Sequence, residues 1–240
     1  SISLRFEAGL DSFNGSLSTL TDNRDRAFEL LRLALTEPRF DEEPLERIRS
    51  QIIASLSRQS EDPDYIASRV LRRLMYGEHP YARPSRGTEG SIARLTAEDL
   101  RGFVRDRFGR DRLFVGVVGD ITPQELGQAL DATFLALPEK AAPFEIAKAE
   151  VQNGGETVVI AKPIPQSVVA LAHEGIARDD PDYYAAYVVN YILGGGGFAS
   201  RLVEEVREKR GLAYSVYSYL AGFDHGDMVY GGTATQNARV

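Results

Sequence analysis

Cysteine is absent from this 240-residue chain, and histidine occurs only three times. Without cysteine there can be no disulfide framework, thiol nucleophile or Cys-ligated zinc, and the redox compartment is left open. Positive charge is also in deficit: 28 Lys and Arg face 35 Asp and Glu, giving a net charge of −7. An acidic chain offers no basic face to a polyanion, so nucleic acid is excluded as a partner. Long hydrophobic runs are missing too. The longest uncharged stretch, residues 183–199, contains Asn190 and four consecutive glycines. It therefore reads as a buried core helix ended by glycine, with no membrane insertion expected. An initiator Met is lacking, and Ser1-Ile2-Ser3-Leu4-Arg5-Phe6 reads as the middle of a strand. What is present is ample: 43% hydrophobic residues suit one large or two modest globular domains with a real core.

Helical periodicity dominates the first half. Ala27, Leu30, Leu31, Ala34 and Leu35 predict a helix ending before Pro38. Leu45, Ile48, Ile52 and Leu56 form the apolar face of a second, and residues 66–76 predict a third closed by Gly77. Thr96 with Asp99, and Thr122-Pro123-Gln124-Glu125, carry the N-cap signatures of two more. Residues 113–118 read as a buried strand, and 157–160 and 167–172 as further strands. Tyr183, Tyr184, Tyr187 and Tyr191 lie at helical spacing and read as core. Strands and helices mix without a βαβ rhythm, so the predicted class is α+β with a largely antiparallel sheet.

The two ends of the chain resemble each other. Ala8-Gly9-Leu10-Asp11 recurs as Ala221-Gly222-Phe223-Asp224, and Thr19-Leu20-Thr21-Asp22-Asn23 as Thr233-Ala234-Thr235-Gln236-Asn237. One single-residue slip relates both pairs. The chain thus reads as the back of one repeat, residues 1–137, and the front of another, residues 156–240. Residues 138–155, with two prolines and two glycines, read as the linker.

The most informative stretch is residues 193–219, LGGGGFASRLVEEVREKRGLAYSVYSY. Four glycines stop a helix, a short amphipathic helix follows, and a Tyr-rich strand comes next. The glycines lack the Lys-Ser/Thr of a phosphate loop, so they read as a helix stop and a close-packing point. Arg207 and Tyr214, seven residues apart, can aim long hydrogen-bonding side chains at one ligand backbone. Taken alone they read first as a surface helix charge and a strand-packing tyrosine.

This stretch closely resembles the second-half signature of the M16 zinc peptidase family, the pitrilysin and mitochondrial-processing-peptidase-like enzymes, in its inactive-subunit form. The resemblance implies two homologous LuxS/MPP-like metallohydrolase-type domains, both incomplete here. It also implies that Arg207 and Tyr214 bind substrate, holding an extended peptide and the developing oxyanion in the active site of a zinc-bearing partner subunit. Arg210 stands too close to the tyrosine for that pattern. A bacterial periplasmic setting goes with the resemblance.

Active relatives carry an inverted His-x-x-Glu-His motif with a distant Glu as third ligand. Two His one helical turn apart share a face and bind one ion, while the Glu polarises the metal-bound water. His79, His173 and His225 form no such pair. His173-Glu174 begins like the His-Glu-x-x-His variant, but position 177 is Ala. His79 reads as structural and His225 as solvated. The paired glutamates of the family's second helix fall at Ile48 and Ser55, neither a competent zinc ligand. No metal and no catalytic residue is therefore expected in this chain, with zinc in the partner subunit. Two other readings stay open: a truncated zinc peptidase whose motif lies upstream, and a purely structural subunit.

Overall fold

A computed structural model describes residues 1–152 and 154–240; residue 153, inside the expected linker, lies outside the described residues. The architecture is α+β, with helices beside small antiparallel sheets. The chain divides into two compact units interleaved in sequence: Ser1–Ala54 with Thr88–Glu145, and Ser55–Gly87 with Ile146–Val240.

In the first unit, β1 (Ser3–Ala8) and β2 (Phe13–Ser18) form an antiparallel hairpin, with Ala8 opposite Phe13. The turn is closed by the Gly9 N–H donating to the Ser12 carbonyl at 2.8 Å. Phe6, Phe13, Phe103 and Phe108 build an aromatic cluster with ring centroids 5.3–6.0 Å apart, a spacing favourable for edge and offset contacts. The helices are α1 (Arg24–Thr36), the start of α2 (Glu42–Gln59), α4 (Glu89–Arg94), α5 (Ala97–Arg107) and α6 (Pro123–Phe134). α1 packs on α6, with Ala27 and Thr133 fully buried.

The predicted N-caps are formed. Thr96 and Thr122 each accept the N–H of the acid three residues on, and that acid accepts the Thr N–H in return. The Thr122 hydroxyl and N–H, joined by Arg24, hold the Glu125 carboxyl down at about 2. A depressed folded pKa stabilises the native state above the ordinary carboxylate range and loses that effect as pH falls toward 2. Acid titration of the wild type should therefore show a stability loss between about pH 4.5 and pH 2. Glu125→Gln should flatten that part of the profile; an unchanged acid limb would show that the box contributes nothing.

Two expected strands do not form. Residues 113–118 form no regular structure and pair with no strand among the described residues, and Phe114 is 96% exposed. An apolar segment becomes a strand only when a neighbour supplies ladder hydrogen bonds. The same holds for residues 157–160 in the second unit, where Val159 is largely exposed.

The second unit carries a three-stranded antiparallel sheet in the order β3–β5–β4. β3 (Gln166–Glu174) contains the expected strand at 167–172; β4 (Ala213–Ala221) and β5 (Met228–Gln236) are joined as a hairpin. Ala221-Gly222-Phe223-Asp224 makes the turn of this hairpin, as Ala8-Gly9-Leu10-Asp11 makes that of the first. A 3₁₀ turn follows each hairpin, at Thr21–Asn23 and Asn237–Arg239. The first repeated motif thus falls at a hairpin turn in both places, whereas in the second Thr21–Asn23 form a 3₁₀ turn while Thr235 and Gln236 belong to β5.

α3 (Pro63–Tyr76) packs on β3, its N-terminus capped by the Asp62 carboxylate, which accepts from the Asp64 and Tyr65 N–H groups. It ends in the best-buried part of the unit. The Tyr76 hydroxyl donates to the Gly226 carbonyl at 2.9 Å, and its ring meets Tyr81 at 5.6 Å. His79 belongs to this cluster. Its Nδ1 accepts the Tyr81 N–H, so Nε2 carries the proton and donates to the Ala147 carbonyl at 2.9 Å. That is a structural histidine. The His225 N–H donates to the Tyr81 hydroxyl, so this residue is tied into the cluster and is half-buried, not simply solvated.

α7 (Tyr183–Asn190) corrects another expectation. Tyr184, Tyr187 and Tyr191 are exposed, and only Tyr183 is half-buried, beneath the Arg178 guanidinium at 4.4 Å. Helical spacing identifies residues that share a face, but the face turned inward is the row Tyr183, Ala186 and Asn190. Among the described residues, no helix is long and apolar enough to cross a membrane.

Candidate functional site

After α7 the helix widens into a π-turn, Tyr191–Gly195, and its glycines bring the backbone against β4. A Cβ on Gly194 would lie 2.4 Å from Ser218 Oγ and 2.6 Å from its backbone nitrogen. The run is therefore a close-packing device, as its sequence suggests. Asn190 and Ser218 exchange a hydrogen bond at 2.8 Å across the same contact. Gly194→Ala must push helix and strand apart, and a loss of about 1–3 kcal/mol is expected in urea unfolding. A variant as stable as wild type would mean the contact relaxes freely.

A second helical segment starts after Ser200, which is fully buried and accepts the Val203 N–H on its hydroxyl. Its last part, Val203–Glu208, is again π-helical, an irregularity frequent at functional sites. Gly211 ends it at φ 57°, a left-handed conformation that favours glycine. There its N–H reaches the Arg207 carbonyl, and the Leu212 N–H the Val206 carbonyl. β4 begins two residues later, with a bulge between Ala213 and Val216 that disturbs the ladder around Tyr214.

These breaks bring the two predicted site residues together. The Arg207 guanidinium lies over the Tyr214 ring, 5.0 Å from its centroid. Tyr214 is 84% exposed, and its hydroxyl makes no hydrogen bond among the described residues. Arg207 is half-buried and approaches Glu208 at 3.5 Å through Nε. Its terminal nitrogens donate to no group among the described residues. The neighbouring cations are differently employed. Lys209 binds Glu204 and Glu205, and Arg210 binds the Glu205 carboxylate and carbonyl. Lys209 first, then Arg210, hold the Glu205 carboxyl down at about 2. Arg207 thus stands with free terminal donors beside an exposed tyrosine.

Sequence reasoning missed a third member, Phe198. Its ring lies 4.8 Å from the same guanidinium, and it is 79% exposed. The available signal was an aromatic placed directly after a glycine break, where no helical or strand period buries it.

Residues 94–239 match the family described as Peptidase M16 inactive domain. The chain belongs to the M16 peptidase family. An uncharacterized zinc protease of Streptomyces coelicolor is 34% identical over 195 residues, covering 79% of this chain and 42% of that protein. A protein of Helicobacter pylori described as a non-peptidase homolog is 30% identical, covering 90% of this chain and 50% of that one. The crystal structure of a peptidase M16 inactive domain from Pseudomonas fluorescens superposes with a TM-score of 0.88 at 33% identity, over 98% of this chain and 57% of that one. This M16 chain spans about half the length of the relatives it matches.

The places where the M16 resemblance would put metal-binding glutamates do not suit a cation. Ile48 is exposed and offers no donor atom. Ser55 accepts a hydrogen bond from the Arg86 guanidinium at 3.2 Å, so a fixed positive charge stands beside it. His173 Nδ1 faces the Glu174 carbonyl at 2.7 Å. Among the described residues no group of three or more His, Cys, Asp or Glu could hold a metal ion.

Proposed function

We propose that this chain is the non-catalytic subunit, or inactive half, of an M16-type zinc metallopeptidase. It binds extended peptide and supplies Arg207 and Tyr214 to a zinc-bearing partner subunit. The observation that carries this reading is the exposed pair itself: a guanidinium with free donors over an exposed tyrosine whose hydroxyl is unused. Preorganised donors of that kind stabilise charge developing on a carbonyl oxygen. β4, which contains Tyr214, is an outer strand of the three-stranded sheet, covered at Ser218 by the Gly194 turn. An extended peptide held by main-chain bonds along such an edge is bound with little regard to sequence. Ser55 with Arg86 supports a lost metal site, and residues 1–137 and 156–240 are taken as parts of two homologous domains.

A second reading, a zinc peptidase with its motif in another part of the protein, is favoured by the description of the Streptomyces relative. Zinc content separates the two. The full-length protein, purified alone without chelator, should carry far less than one zinc per chain. Near-stoichiometric zinc would replace the first reading by the second.

A further inference from the structure

We infer that Phe198 is the positioning residue for Arg207, fixing its guanidinium over Tyr214 so that its terminal donors face an incoming peptide carbonyl. The inference rests on the peptide-binding reading above. Phe198 has no place in the core: it is 79% exposed, and among the described residues its ring pairs with no other aromatic. It lies instead under Arg207, at 4.8 Å, from a 3₁₀ turn, Gly197–Ala199, closed by the Ser200 N–H on the Gly197 carbonyl. Gly197, at φ 59°, and the buried Ser200 bracket the ring and set where it projects.

The physical argument concerns disorder. A free arginine samples many rotamers, and holding one for a ligand carries an entropic cost. Two aromatic rings, each with its π-face toward the guanidinium, select a conformation before the peptide arrives. They consume none of its N–H donors, since an aromatic face attracts the cation without accepting its terminal hydrogen bonds. Glu208 approaches Nε at 3.5 Å, and the terminal nitrogens make no contact with it.

The test uses the full-length protein and fluorescein-labelled β-casein, an unfolded polypeptide, read by fluorescence anisotropy. Phe198→Leu keeps an apolar side chain but loses the π-face; it should raise Kd about two- to fivefold. Phe198→Tyr should bind as wild type. Arg207→Ala should weaken binding roughly tenfold or more, and Phe198→Leu added to it should cost nothing further. In NMR, the Arg207 Nε–H resonance should lose its ring-current displacement in Phe198→Leu and regain it in Phe198→Tyr. Wild-type affinity in Phe198→Leu, failure of the tyrosine to restore binding, or an additive double variant would each overturn the role of Phe198 while leaving Arg207 in place. Casein binding that is absent, or indifferent to Arg207→Ala, would instead remove the peptide-binding reading and this inference with it.

Discussion

Arg207→Ala is expected to lower kcat of the complex with the zinc-bearing partner by about 10²- to 10³-fold, the loss typical of deleting one preorganised oxyanion donor. Tyr214→Phe removes only the hydroxyl, whose hydrogen bonding is unused within the described residues, and should lower kcat in the same direction by a smaller factor. Neither should disturb the fold. Tyr214 is exposed and the Arg207 contacts are surface contacts, so unfolding free energies should stay within about 0.5 kcal/mol of wild type. The measurement is steady-state turnover of a peptide by the reconstituted pair, alongside urea unfolding of each variant alone. Unchanged turnover in both variants would end the role assigned to the pair, and the chain would then be a purely structural subunit. A fall in turnover accompanied by a large loss of stability would point to damage in the helix-to-strand connection.

Tyr76→Ala should be the most destabilising single change in the second unit. Tyr76 is 1% exposed, its hydroxyl donates to the Gly226 carbonyl, and its ring meets Tyr81 and His79. Truncating a buried aromatic to alanine costs about 3–5 kcal/mol. Against a total stability of about 5–15 kcal/mol that is enough to unfold a marginal unit. Tyr76→Phe keeps the ring and leaves the Gly226 carbonyl without this donor, so about 1–3 kcal/mol is expected. Urea unfolding followed by circular dichroism reads both. A Tyr76→Ala midpoint close to wild type would show that the cluster of Tyr76, Tyr81 and His225 is not a cooperative core.

The helices were legible because their signals are local. The Thr122-Pro123-Gln124-Glu125 run contains both partners of its own capping box, and Gly77 follows the residue that ends α3. The strands were less so. Residues 113–118 and 157–160 have the composition of strands, yet pairing depends on a neighbour that no local pattern records. The tyrosines of α7 show the same limit: their spacing places them on a helix, while the choice of inward face belongs to β4 and the Asn190–Ser218 bond.

At the candidate site the division is similar. The residue types of 193–219 and the seven-residue step from Arg207 to Tyr214 identify the family resemblance and nominate the pair. Ile48 and Ser55, by their chemistry alone, argue against a zinc ligand. These properties reside in side-chain identity and spacing along the chain, which sequence determines by itself. Tertiary structure decided that Phe198 joins Arg207, that Arg210 is taken up by Glu205, and that Arg86 stands beside Ser55. The first two depend on where a glycine break and a π-helical turn aim side chains, and the third on a loop that folds back onto α2. A widened turn or a single bulged residue redirects a side chain by a large angle while barely changing the local sequence pattern.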